Sequence, residues 1–231
     1  MPDSPVPNET PAEKKIRKQA EQDQQMANDI SAALTMMEAA RDDADIQTFI
    51  GGIGYSPADI ATAITDLQEP AQAAYNARQT AMGVAKRATE NLGNMEKEER
   101  KDFSDYREIA RAVYPASADQ VALGLKGATP QDLQKFLTAA KSSYSAGKTA
   151  AFSAKLTKRG YSPAAIDAQL TGIKSVSDLS KNQLLALGAA QKATKTRDAA
   201  FDLLKAWVSE FRKIAKRVLR TRPDLLGNLA L

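Results

Sequence analysis

Apolar residues recur at alternating spacings of four and three along much of the chain. The clearest run is Ala200, Leu204, Trp207, Phe211, Ile214 and Val218, the core-facing stripe of a bundle or coiled-coil helix, with Trp207 as a core anchor. Leu133, Leu137, Ala140 and Tyr144 supply a comparable stripe for a partner helix. Between such stripes stand helix-end signals. In Gly54-Tyr55-Ser56-Pro57 and again in Gly160-Tyr161-Ser162-Pro163, the glycine can take the left-handed conformation that ends a helix and the serine can cap the next one. The proline suits a first turn that needs no amide hydrogen. Thr10-Pro11 and Thr129-Pro130 follow the same rule, with Glu13 and Asp132 placed as reciprocal caps, as Asp59 is for Ser56. The expected pieces are helices over about 11–50, 57–68 and 70–114, the last bending near Pro70 or residues 91–94, then about 130–158, 163–174 and 178–220.

These pieces come in two sets. Residues 54–67 (GYSPADIATAITDL) and 160–173 (GYSPAAIDAQLTGI) agree at seven of fourteen positions, and Ile60/Ile166, Ile64/Leu170 and Leu67/Ile173 keep one apolar spacing. After a one-residue slip, 80–89 (TAMGVAKRAT) matches 185–194 (LALGAAQKAT), and 103–114 (FSDYREIARAVY) matches 208–219 (VSEFRKIAKRVL). Three blocks in the same order point to duplication. The predicted fold is all-α: an elongated helical bundle of two tandem pseudo-repeats of about 105 residues, each with two long helices and one short one. A 40-residue helix alone is roughly 60 Å long. Residues 1–10, with three prolines, are expected as a flexible tail; 11–127 form the first repeat and 128–231 the second.

Composition narrows the function more than the fold. No apolar run approaches the 18 or so residues that span a bilayer, and the first residues lack the basic-then-apolar order of a secretory signal. A cytoplasmic protein without a transmembrane segment is expected. The chain has no His and no Cys, which removes thiolate nucleophiles, imidazole bases, the Ser-His-Asp triad and the usual zinc site. Di-iron carboxylate bundles, with their Glu-x-x-His pairs, go with them. No catalytic, cofactor-binding or metal-ligating residue is nominated, and the chain reads as non-enzymatic; an enzyme would have to work with carboxylates, Lys or Tyr alone. The net charge of +4 hides a division. Residues 1–127 hold 14 Lys and Arg against 21 Asp and Glu, a net of −7, whereas residues 128–231 hold 18 against 7, a net of +11.

Four charged or glycine-bearing segments bear on chemistry. Gly147-Lys148-Thr149 has the tail of a phosphate-binding loop, but Ser142 stands where such a loop needs glycine, so the segment reads as helix with a small residue at its seam. Asp42, Asp43 and Asp45, and likewise Glu96, Glu98 and Glu99, lack the oxygen spacing of a calcium loop and read as solvated helix faces. Arg212, Lys213, Lys216, Arg217, Arg220 and Arg222 make a basic stripe opposite Phe211, Ile214 and Val218, the candidate interaction surface. The expected function is that of a structural or interaction protein. It partners itself, as a homo-oligomer or filament assembled through its oppositely charged repeats, or an acidic protein surface. The alternative is a nucleic-acid-associated protein using the basic second repeat. It would bind weakly and without sequence preference, because no aromatics interleave the basic positions.

The Gly-Tyr-Ser-Pro turn, the stretch KATKTRDAAFDLLKAWVSEFRKIAKRVL (192–219) and the ending RPDLLGNLAL (222–231) together resemble a group of uncharacterised bacterial helical proteins. That group shares a Gly-Tyr-Ser/Thr-Pro turn, an Ala-Thr-x-x-Arg-Asp-Ala-Ala segment and a Trp-x-x-x-Phe-Arg-x-Ile-Ala ending. The likeness covers most of the second repeat and is weaker in the first, where residues 88–114 lack the Arg-Asp pair and the Trp. It implies helices and a bacterial source, and it carries no activity.

Overall fold

The structure, a computed structural model, describes residues 10–229; of the tail expected over 1–10, only Thr10 lies within the described residues. Every regular element among the described residues is helical, so the all-α expectation holds. In chain order these are α1 (Pro11–Asp42), α2 (Ala44–Ile50) with a 3₁₀ turn at Gly51–Ile53, α3 (Pro57–Ala63), a π-helical stretch at Ile64–Gln68, and α4 (Glu69–Val113). Then follow α5 (Ser117–Ala122), α6 (Leu133–Gly147), α7 (Ala150–Thr157), α8 (Pro163–Val218) and α9 (Pro223–Asn228).

The caps explain where most of these begin. Thr10 Oγ1 accepts from the Glu13 amide while the Thr10 amide donates to the Glu13 carboxylate at 2.8 Å, and Ser56 and Asp59 do the same at the start of α3. Gly54 and Gly160 end the preceding turns at φ 92° and 93°, where a side chain would be strained. Three expectations change. The helix expected over 11–50 breaks at Asp43, whose carboxylate accepts from the amides of Asp45 and Ile46 and starts α2. The helix expected over 130–158 breaks at Lys148–Thr149 and begins at Leu133, because Asp132 rather than Thr129 caps it, accepting from the Lys135 amide at 2.9 Å. Conversely, no break falls at Pro70 or between 174 and 178: α3, the π stretch and α4 run on as one helix, and α8 is continuous over 56 residues. The π stretch carries the register change, with the Glu69 amide donating five residues back to Ile64 O. It lets the chain absorb the missing N–H of Pro70 without ending the helix.

Contacts group the chain into two compact units, Met1–Thr80 with Gln191–Leu231, and Ala81–Ala190. The boundaries fall inside α4 and α8, so neither unit is drawn from 11–127 or from 128–231 alone. In the first unit, Ile30 and Met37 of α1, Ile46 and Ile50 of α2 and Ile60 of α3 are fully buried, and Leu204, Phe211, Ala215 and Leu219 of α8 complete that core. Trp207 is only half-buried, stacked on Phe211 at 5.3 Å and 3°, with Tyr55 edge-on to both rings. The buried line of α8 therefore passes through Leu204, Phe211, Ala215 and Leu219 and sets Trp207 at its margin. In the second unit, Phe103 and Tyr106 of α4 pack with Phe136 and Tyr144 of α6, and Tyr161 stands edge-on to Tyr106 at 5.1 Å. Mixing the two halves of the chain also mixes their charge. The first unit has 16 Lys and Arg against 17 Asp and Glu, and the second 16 against 11, so the compact units do not inherit the opposed charges of the halves.

Candidate interaction surface

The basic stripe follows from how α8 packs. With Phe211, Ala215 and Leu219 turned to the core, Arg212, Lys213, Lys216, Arg217 and Arg220 fall on the exposed side of the last turns of α8, where cations also suit the helix dipole. Among the described residues none of these five makes a hydrogen bond or ion pair. Arg222 is placed differently. It lies at the N-terminus of α9 and is committed to Asp224, Nε to Oδ1 at 3.0 Å and Nη2 to Oδ2 at 2.6 Å. That hydrogen bonding holds the Asp224 carboxyl below the ordinary range and raises Arg222. So the stripe read from the sequence is five residues, with the sixth paired.

The second unit contains a different basic set that sequence reasoning passed over. Arg100, Arg107 and Arg111 lie along α4, and all three donate to the segment 125–131. Arg100 donates to Pro130 O and Gln131 O, both at 2.7 Å, and lies 4.3 Å above the Phe136 ring. Arg107 donates to Leu125 O at 2.9 Å, Gly127 O at 2.6 Å and Thr129 Oγ1 at 2.6 Å, and Arg111 shares Leu125 O and Gly127 O. Arg107 is buried, and burial, then the neighbouring Arg111, lowers its pKa. The forked guanidinium suits this work because it offers several donors in one plane to adjacent carbonyls. Arg107→Lys keeps the charge and loses the fork; it is expected to cost about 1–2 kcal/mol, read as faster hydrogen exchange across 123–132.

Glu99 corrects the reading of Glu96, Glu98 and Glu99 as one solvated face. Glu96 pairs with Arg100 at 2.7 Å, but Glu99 is 7% exposed and its Oε2 has no partner. It fits because Gly172 of α8 has no side chain: a Cβ there would overlap the carboxyl. Burial first, then Asp102 and Glu98, push the carboxyl up to about 7. Tyr144, buried on α6, is raised by its own burial and by the Glu99 charge.

The remaining polar features have local structural roles. Gly147 ends α6 against the Tyr106 hydroxyl, which donates to Ser143 O at 3.1 Å; Lys148 pairs with Asp167, and Thr149 donates to Ala146 O at 2.8 Å. Asp42 pairs with Arg41, and Asp43 accepts from Asn228 besides capping α2. Asp23 of α1 bridges two buried arginines, Arg78 of α4 and Arg197 of α8, the latter at 2.9 Å. Among the described residues there is no group of three or more acidic side chains placed to hold a metal ion, and no helix is long and apolar enough to cross a membrane. No protein-family model matches the chain, and no curated protein or solved structure is similar to it.

Proposed function

We propose that the chain is a non-enzymatic interaction protein, internally duplicated, whose basic stripe on α8 binds an acidic protein surface. The observation that carries this reading is the stripe itself: Arg212, Lys213, Lys216, Arg217 and Arg220 are exposed and without a carboxylate among the described residues, although their unit holds 17 Asp and Glu.

The duplication is supported by a constant offset of 106 between element starts: Ala44 and Ala150, Pro57 and Pro163, Ser117 and Pro223. It is supported also by the aromatic clasps. Tyr55 meets Phe211 at 5.1 Å and 70°, and Tyr161 meets Tyr106 at 5.1 Å and 76°. Phe211 and Tyr106 stand at matching positions of the 208–219 and 103–114 blocks. Each Gly-Tyr-Ser-Pro turn thus packs on the long helix of the other copy, a reciprocal exchange within one chain.

Triple reversal, Lys213→Glu with Lys216→Glu and Arg217→Glu, tests the function. The wild type is expected to bind immobilised poly-L-glutamate with an affinity that weakens as salt rises, and the triple variant to lose binding at unchanged helical content. Concentration-dependent self-association abolished by the same reversal makes a second copy the partner. Duplex DNA binding that survives physiological salt and prefers one sequence replaces the reading with nucleic-acid association. A wild type that binds none of these sinks it.

A further inference from the structure

The duplication, on which this inference rests, aligns Arg100, Arg107 and Arg111 of α4 with Lys205, Arg212 and Lys216 of α8 at an offset of 105. All three positions are basic in both copies. On α4 the three cations hold the carbonyls of the chain's own irregular segment 125–131, which bends at Gly127 (φ 77°). On α8 the counterparts are exposed and donate to nothing among the described residues.

The bed beside them is open as well. A groove of about 150 Å³ lies between α1 and α8, lined by Ala32, Ala33, Phe201, Leu204 and Val208, with Lys205 and Arg212 of α8 at its edge and Asp29 of α1 beside them, its carboxylate accepting from Gln25 Nε2 at 2.7 Å. That is the liquid volume of roughly five waters, or room for a branched apolar side chain. The reason for the opening lies in the two helices that face the basic rows. In the second unit, α6 starts at Leu133, and the segment before it folds along Arg111, Arg107 and Arg100. In the first unit, α1 starts at Pro11, so at the matching register, near residue 27, the chain is still helical. Among the described residues, no segment turns back to cover the row. The approach to the groove is matched too: Leu229, the counterpart of Leu123, is buried as Leu123 is.

We propose that this groove receives a non-helical segment of a partner polypeptide, its backbone carbonyls facing Lys205, Arg212 and Lys216 and an apolar or small side chain seated over Leu204 and Val208. The second unit supplies the template for that occupant in Gly-Ala-Thr-Pro-Gln-Asp (127–132): kinked by proline, short of bulky side chains, and read through carbonyls. Two lysines in place of two guanidiniums, all exposed, favour a segment that adds a carboxylate to those carbonyls. The contact deepens the basic-stripe reading by assigning Arg212 and Lys216 a non-helical peptide rather than a flat acidic face.

The test uses the full chain and a tethered probe. Seven residues, Lys-Gly-Ala-Thr-Pro-Gln-Asp, the sequence of 126–132, are appended after Leu231, where the tether raises their effective concentration to about the millimolar range. A scrambled extension of the same composition is the control. The template extension is expected to raise Tm over the scrambled one by about 3 °C and to slow hydrogen exchange over 201–216 several-fold. Both gains should vanish with Lys205→Ser and Arg212→Ser together. Equal Tm and exchange for the two extensions, or gains that survive the double substitution, overturn the groove assignment. The readout needs no acidic partner, so failure to bind poly-L-glutamate alongside a positive tether result strikes the stripe reading alone, and the reverse pattern strikes the groove alone.

Discussion

Phe211→Ala lowers the free energy of unfolding of the first compact unit by about 3–5 kcal/mol, the usual cost of emptying a fully buried aromatic position. The ring is 0% exposed and meets two others, Tyr55 edge-on at 5.1 Å and Trp207 stacked at 5.3 Å. Such ring pairs add to area burial by about 0.5–1.5 kcal/mol each. Removing Phe211 therefore leaves a cavity and also frees the turn that Tyr55 anchors. Trp207→Ala is expected to cost less, about 2 kcal/mol, because Trp207 is half-buried and its loss opens a notch at the margin instead of a hole. Denaturant unfolding followed by the fluorescence of the lone Trp reads the first substitution in the right unit, since residue 207 belongs to it. A midpoint unmoved by Phe211→Ala contradicts the clasp between the first Gly-Tyr-Ser-Pro turn and α8.

The local grammar of the helices was legible in the residues, and the long-range partners were not. Ser56 with Asp59, and Thr10 with Glu13, are short-range devices: three residues carry donor and acceptor alike, so the cap can be read without the fold. Asp43 is equally readable as a cap, but it sits inside a stretch whose apolar spacing continues, so spacing alone joins α1 and α2 into one helix. Pro70 misled in the other direction, because a π-helical turn before it lets the helix run through. The stripe through Trp207 was read from spacing alone. A spacing rule tolerates a rotation of the helix about its axis, and the aromatic ring of Tyr55 decides the rotation by meeting Phe211 and Trp207 together. The basic stripe was legible because exposed faces need no partner to be recognised. The α4 arginines were not, since the carbonyls that they hold belong to a loop without side-chain signal. The opposed charges of the two chain halves proved a property of order along the chain. Once α4 and α8 carry each half into the other's unit, the charges mix.

Glu99→Gln is expected to stabilise the second unit at pH 8 by about 1–2 kcal/mol, the relieved ionisation penalty less the cost of burying amide donors, and to remove a slope of stability against pH between about 4.5 and 7. Glu99 is itself 7% exposed and packs against Gly172, so the carboxyl occupies a core position. No cation compensates it there. Asp102 and Glu98 on α4 add negative charge, Tyr144 faces it from α6, and α8 contributes only the bare backbone of Gly172. The carboxyl is held up to about 7 when folded, against an ordinary value of 4.5, so the folded chain keeps a proton that the unfolded chain has lost. Below pH 4.5 both states are protonated and the site costs nothing. As pH rises from 4.5 to 7, the unfolded state ionises first and stability falls; above 7 the full penalty stands. The capping carboxylates Asp43 and Asp59 and the Arg222-paired Asp224, all held low by hydrogen bonds, act with the opposite sign, losing their contribution only as pH drops below about 4. Through Glu99, the stability of the second unit should decline from about pH 4.5 toward neutrality. Glutamine keeps the shape without the charge and should hold its stability flat from pH 5 to 8. Circular dichroism melts of both proteins at half-unit pH intervals give the comparison, and parallel profiles would mean that Glu99 ionises in the folded chain as an ordinary surface carboxylate does.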